Sequence, residues 1–212
     1  MCGIQLIALR ADHASRAEIQ ELRRSITEAN QRRGPDWHGL LNVDIHDGQR
    51  LEFSAHVLHL RGSRIQEQPL RDASAGDVFC WNGEVFEGLD IGPEENDGRV
   101  LLEILRRSRR SELEVLSVLQ RVQGPYAFIY WQATFVLSSV GYYCPALPDT
   151  SAAEAIERRA NFWREVPART VFCLNLGDGL TVQDIIPETF KTFEWWPHSE
   201  SNNSSELARP TL

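Results

Sequence analysis

Cys2 is the residue with the most chemistry to offer in this chain. An initiator methionine followed by a small residue such as Cys is usually trimmed, which leaves a thiol and a free α-amine on one residue. That amine titrates at about 7.7–8.0, close enough to neutrality to take the thiol's proton. N-terminal nucleophiles activate a weak side chain in this way, without a separate histidine. The competing reading is a cysteine that only fills a core, since Cys is among the most buried residue types.

Three further positions supply what such a nucleophile needs. Asn82-Gly83-Glu84 follows the apolar run Val78-Phe79-Cys80-Trp81. Asn-Gly at a strand end is first a turn signal. It is also a candidate oxyanion hole, with the Asn82 side-chain amide and the unhindered Gly83 N–H aimed at one developing negative charge. Arg61 ends the strand-like stretch Ala55-His56-Val57-Leu58-His59-Leu60. Turned outward it is an ordinary surface residue; turned inward, its planar fork can grip a carboxylate bidentately. Asp97 is well placed as a helix N-cap, and could equally pair with a substrate ammonium at the helix entrance. One ligand satisfies all these groups: glutamine, with its carboxylate on Arg61, its α-amine on Asp97 and its side-chain carbonyl between Cys2 and the Asn82/Gly83 donors.

Other candidates fall away on spacing. His56 and His59 are three apart, which on a strand puts them on opposite faces and argues against a metal pair. Cys2, Cys80, Cys144 and Cys173 contain no C-x-x-C pair, so no zinc knuckle or redox motif is indicated. Arg32-Arg33-Gly34-Pro35-Asp36 reads as a helix stop and turn, hence as structural.

The elements that must position these residues are punctuated clearly. Residues 3–10 read as a buried strand behind Cys2. A helix then runs from a Ser15/Glu18 capping box to Arg32-Arg33 and the Gly34-Pro35 stop. Residues 40–45 and 51–60 are strand-like, split by the Asp47-Gly48 turn. Val78–Trp81 is a short strand. One helix starts at Asp97, and a second follows a Ser111/Glu114 capping box. Strands at 126–131, 135–140 and 169–176 complete the pattern, and the Ser/Asn-rich tail 197–212 reads as disordered. Strand pairs interleaved with helices indicate an α+β layered domain in place of a doubly wound sheet.

Composition sets the class. At 212 residues the chain suffices for one domain with a proper core. A net charge of −8 argues against nucleic-acid or anionic-membrane partners, and the Arg106–Arg110 run reads as a solvated helix end. No apolar stretch approaches the ~20 residues that cross a bilayer. No signal peptide is visible, and a free thiol suits a reducing cytoplasmic setting.

Met1-Cys2-Gly3-Ile4, Arg33-Gly34-Pro35-Asp36, His59-Leu60-Arg61, Trp81-Asn82-Gly83-Glu84, Asn96-Asp97 and Gln123-Gly124-Pro125-Tyr126-Ala127-Phe128 occur in one order. Together they resemble the glutaminase domain of class II, N-terminal-nucleophile glutamine amidotransferases, in the asparagine synthetase branch. Phe53–Gly62, Glu95-Asn96-Asp97, Leu137–Gly141 and Trp163–Ala168 are similar to the asparagine synthetase domain-containing proteins. The resemblance implies a type-2 amidotransferase domain over residues 1–196, folded as a four-layer αββα sandwich of two mainly antiparallel sheets. It implies Cys2 as nucleophile, Asn82 and Gly83 as oxyanion hole, and Arg61, Asn82, Gly83, Glu84 and Asp97 as the glutamine-binding set. No metal or other cofactor is required.

Two departures shape the expectation. The family's segment between the strand at Tyr126–Trp131 and the Leu-Ser-Ser strand is absent at 132–134, which predicts a missing strand pair and a gap in one sheet. No Ser-Gly-Gly-x-Asp-Ser loop occurs in the chain, so asparagine synthesis would need an ATP-dependent synthetase chain supplied separately. The leading reading is therefore a glutamine-hydrolysing domain, and the second is a degenerate binding or regulatory module of the same fold. A hydrolase of another amide is the third, and the Arg61/Asp97 clamp argues against it.

Overall fold

A computed structural model of the chain describes residues 2–13, 15–108, 111–132, 135–138, 142–143, 164–165, 170–176 and 191–194. β1 (Gly3–Arg10), β2 (Trp37–Asp44) and β3 (Gln49–Val57) form an antiparallel sheet in the order β1-β3-β2. β3 is central, with Gly3 and His38 both opposite His56. Its alternation sorts two layers. Leu51 and Phe53 point into the core, while Glu52 and His56 lie on the other face, where Arg23 of α1 (Ala17–Gln31) pairs with Glu52.

The second sheet gathers β4 (Leu70–Arg71), β5 (Val78–Gly83), β6 (Tyr126–Gln132) and β7 (Phe135–Ser138). Past a two-residue ladder of β8 (Tyr142–Tyr143) with β9 (Arg164–Glu165), β10 (Thr170–Asn175) and β11 (Lys191–Glu194) join it. Its order is β11-β10-β7-β6-β5-β4, every pair antiparallel. Both faces are covered. Val78, Cys80, Ile129 and Trp131 meet Leu51 and Phe53 across the two sheets. Phe79, Trp81, Phe128 and Tyr130 meet Leu101 and Leu105 of α2 (Asp97–Leu105) and Leu116 and Leu119 of α3 (Glu112–Leu119). Each such side chain is worth about 1.5–3 kcal/mol on burial, so the run Val78–Trp81 feeds two cores at once. The layers are thus α1, sheet, sheet, α2 with α3: the αββα sandwich of the α+β class. No described helix is long and apolar enough to cross a membrane.

The expected gap near 132–134 is not there. Gln132 lies opposite Phe135 and Trp131 opposite Val136, so β6 and β7 pair directly and the sheet is continuous. Two residues between the paired positions are a common hairpin length, and a shortened connection therefore leaves no unpaired edge. Two caps also differ. The first helix is capped at Arg16, whose side chain makes no capping bond, and not at Ser15. The reason is the 3-10 turn Ala11–His13, whose His13 carbonyl takes the Arg16 N–H at 3.0 Å and carries the chain into the helix one residue late. α2 is capped by Asn96, which accepts from the Arg99 N–H, leaving Asp97 inside the first turn. Ser111 caps α3 as its pattern predicts, accepting from the Glu114 N–H at 3.3 Å. The tail 197–212 lies outside the described residues.

His56 is buried and stacks on the exposed His38, ring centroids 4.2 Å apart. Burial first, and then the His38 charge, push its pKa below the ordinary 6.5. The unfolded chain thus takes up a proton that the folded chain refuses. The His56 contribution to stability is complete above pH 6.5 and is lost as the pH falls from there toward the folded-state value. Thermal midpoints followed from about pH 7.5 down to about 5.5 should decline, and His38→Gln should lessen the decline. An identical decline in that variant would contradict the coupling.

Candidate active site

Cys2 immediately precedes β1, and the Gly3–His56 pairing brings it beside the exit of β3. Its Sγ lies 3.4 Å from the Leu58 N–H, which donates to it, and 3.8 Å from the Leu58 carbonyl. Arg33 Nε donates to the Cys2 carbonyl at 3.2 Å, so the Arg33–Asp36 segment, read from sequence as merely structural, touches the candidate nucleophile. Cys2 is half-buried, whereas Cys80 and Cys173 are buried among apolar neighbours. Burial pushes the Cys173 thiol up to about 12 and the Cys80 thiol higher still, which leaves both inert.

The second sheet brings its donors to the same place. Val78 and Cys80 face the inter-sheet core, and period two puts Asn82 on that face. Its Oδ1 is shut off from solvent and has no partner among the described residues. Nδ2, which is accessible, also has no partner among the described residues and can donate into the cavity it lines. The Gly83 N–H follows from the ladder. The Glu84 N–H donates to the Pro125 carbonyl at 3.1 Å, continuing the register in which Gly83 opposes Tyr126. Antiparallel bonding alternates, so the Gly83 N–H points away from β6, on the same side as that of Trp81. Only glycine fits there: a Cβ at 83 would come within 2.4 Å of Tyr126 Cβ and 2.7 Å of the Pro125 carbonyl.

Gln68 had no signal in the sequence beyond its place before a proline, yet it shapes this edge. β4 reaches only Val78 and Phe79. Beyond it, the buried Gln68 amide accepts from the Trp81 N–H at 2.7 Å and donates to the Trp81 carbonyl at 3.0 Å, replacing a missing ladder partner.

Arg61 and Asp97 meet each other. Arg61 Nη1 donates to Asp97 Oδ1 at 3.0 Å and to the Val85 carbonyl at 3.2 Å. Nη2 reaches the Ile91 and Gly92 carbonyls, each at 3.4 Å. Asp97 Oδ2 accepts from the Val85 N–H at 2.7 Å. The two groups assigned to opposite charges of one ligand therefore form a preassembled pair, with Nε the guanidinium nitrogen left without a partner among the described residues. A free bidentate fork is not what the cavity presents. Cys2, Asn82, Gly83, Glu84, Arg61 and Asp97 all line one cavity of about 190 Å³. It is smaller than the roughly 300–1,000 Å³ of drug-sized sites.

No family model matches the chain. It is 32% identical over 231 residues to asparagine synthetase domain-containing protein 1 of Bos taurus, covering 100% of this chain and 34% of the relative. With the Homo sapiens protein of the same name it shares 36% identity over 204 residues, 83% of this chain and 28% of the relative. The chain thus spans about a third of the length of these curated relatives. Among solved structures, the glutamine phosphoribosylpyrophosphate amidotransferase from B. subtilis, complexed with ADP and GMP, aligns with a TM-score of 0.44 at 18% identity, over 68% of this chain and 34% of that one. The chain belongs to the family of asparagine synthetase domain-containing proteins.

Proposed function

We propose that this chain hydrolyses the side-chain amide of glutamine, with Cys2 as nucleophile. The observation that carries the reading is the convergence, in one cavity, of the Cys2 thiol, the Asn82 side-chain amide, the Gly83 backbone and a paired cation and anion. With Met1 removed, the Cys2 α-amine takes the thiol proton and Sγ attacks the amide carbon. Asn82 Nδ2 and the Gly83 N–H receive the developing oxyanion. The C–N bond breaks as the α-ammonium returns its proton to the leaving nitrogen, releasing ammonia and a γ-glutamyl thioester. Water then attacks, giving its proton to the same amine; the thiol is regenerated and glutamate leaves.

The Arg61–Asp97 pair holds the zwitterionic end, its cation facing the ligand carboxylate and its anion the ammonium. Glu84, whose carboxylate has no partner among the described residues, completes the wall. No metal enters any step. Because the relatives bear the name asparagine synthetase domain-containing protein, we assign the ammonia to asparagine synthesis by an ATP-dependent synthetase unit. A reducing cytoplasmic compartment would keep the thiol free. The binding-module alternative rests on the segment absent at 132–134, across which β6 and β7 nevertheless pair directly.

The test is glutamate and ammonia release from glutamine by purified protein. One glutamate per ammonia is expected. Thermal stabilisation by glutamine with no turnover would contradict the reading.

A further inference from the structure

Leu58 is the first residue of β3's strand beyond both of its ladders, since β2 begins with Trp37 opposite Val57 and β1 with Gly3 opposite His56. No sheet bond orients its peptide groups, yet both of them face the Cys2 sulfur: N–H at 3.4 Å and C=O at 3.8 Å. Asp36 supplies what the sheet does not. Its backbone N–H donates to the Val57 carbonyl at 3.0 Å, and its Oδ2 accepts from the His59 N–H at 2.7 Å.

A trans peptide is planar, with its C=O and N–H pointing in opposite directions. The Val57 carbonyl and the Leu58 N–H are the two poles of one such unit. The Leu58 carbonyl and the His59 N–H are the two poles of the next. Asp36 therefore grips the far pole of each peptide whose near pole meets the thiol. Gly34 allows the approach, for a Cβ there would sit 2.1 Å from the His56 carbonyl oxygen.

We propose that Asp36 is a positioning residue for the Cys2 thiol, acting through the two peptide units that flank Leu58. The inference rests on the nucleophile reading above. The main-chain half of the grip survives any side-chain change, so substitution at 36 releases the Leu58–His59 unit alone. Arg61, two residues beyond His59, is anchored separately by Asp97 and the carbonyls of Val85, Ile91 and Gly92. Binding and thiol chemistry should therefore separate.

The test compares Asp36→Asn, Asp36→Glu and Asp36→Ala in full-length protein, each checked for the wild-type thermal midpoint. Asn keeps an acceptor oxygen in place without the charge, and Glu keeps the charge but shifts the oxygen by a methylene. Loss of a hydrogen bond of this kind corresponds to about a tenfold effect. The expected result is kcat for glutamine down about tenfold in Glu and Ala, within about threefold of wild type in Asn, and KM unchanged in all three. The pH profile of Cys2 alkylation by iodoacetamide, read on the Cys2 peptide by mass, should be displaced in Glu and Ala and retained in Asn. Alkylation needs no glutamine, so a displaced profile in a protein that never hydrolyses glutamine would sink the glutaminase and leave this role standing. Wild-type alkylation in Glu and Ala, or an Asn variant as impaired as Ala, would overturn it. So would a rise in KM with kcat unchanged.

Discussion

Cys2→Ala should abolish glutamine hydrolysis, with turnover reduced by at least about 10⁴-fold and binding retained. Removing the nucleophile of a hydrolase costs on that order or more, because the remaining donors stabilise a transition state that can no longer form. The fold should hardly notice. Cys2 is half-buried, precedes the first strand, and makes its side-chain hydrogen bonds with the Leu58 backbone alone among the described residues. Its loss opens no cavity in either core. Calorimetry of the variant with glutamine separates the two outcomes: binding without release is expected, whereas release at the wild-type rate would remove Cys2 from the mechanism. The same variant also distinguishes a working hydrolase from a binding module, for which the substitution would change nothing.

Asp97→Ala is the second large effect, and it should appear in both binding and stability. Asp97 is 5% exposed in its side chain and holds Arg61 Nη1 and the Val85 N–H together. Its removal strands a buried N–H and frees a guanidinium that the ligand needs in one place. A charge-assisted hydrogen bond is worth about 1.5–3 kcal/mol, so KM for glutamine should rise by about 10–100-fold. Breaking a buried ion pair costs about 3–5 kcal/mol. Arg61 keeps 31% of its side chain in solvent, and screening reduces the expected loss to about 1–3 kcal/mol. That is bearable against the usual 5–15 kcal/mol of a folded domain. Arg61→Ala alone and combined with Asp97→Ala should be strongly non-additive, as for any two residues in direct contact. Additive effects on KM would mean that the two groups bind independently, contrary to the pair described above.

Much of this site was legible in the sequence because its parts sit at element ends, where turn chemistry is explicit. Asn82-Gly83 closes an apolar strand, Gly34-Pro35 stops a helix, and the chain places Cys2 directly before a strand. The apolar run Val78–Trp81 gave the strand, but not which layers cover its two faces. That depends on layers contributed by distant segments. The cap of α2 illustrates the limit. Asn96 and Asp97 are adjacent and both suit an N-cap; Asn96 takes it because Arg61 and the Val85 N–H claim the Asp97 carboxylate. Nothing local encodes that competition. Gln68 and Asp36 were missed for the same reason, since each substitutes a side chain for a backbone partner that only the assembled sheet shows to be lacking. The predicted gap at 132–134 failed because pattern comparison counts absent residues, whereas strands β6 and β7 need only a short connection to pair.

The central claim is an acyl-enzyme on Cys2, and hydroxylamine capture tests it most directly. Protein whose mass confirms loss of Met1 would be turned over with glutamine in the presence of hydroxylamine, which attacks a thioester in competition with water. The account predicts γ-glutamyl hydroxamate formed at the expense of glutamate, and none from Cys2→Ala. Glutamate released with no hydroxamate, or no turnover at all from folded and trimmed protein, would contradict it.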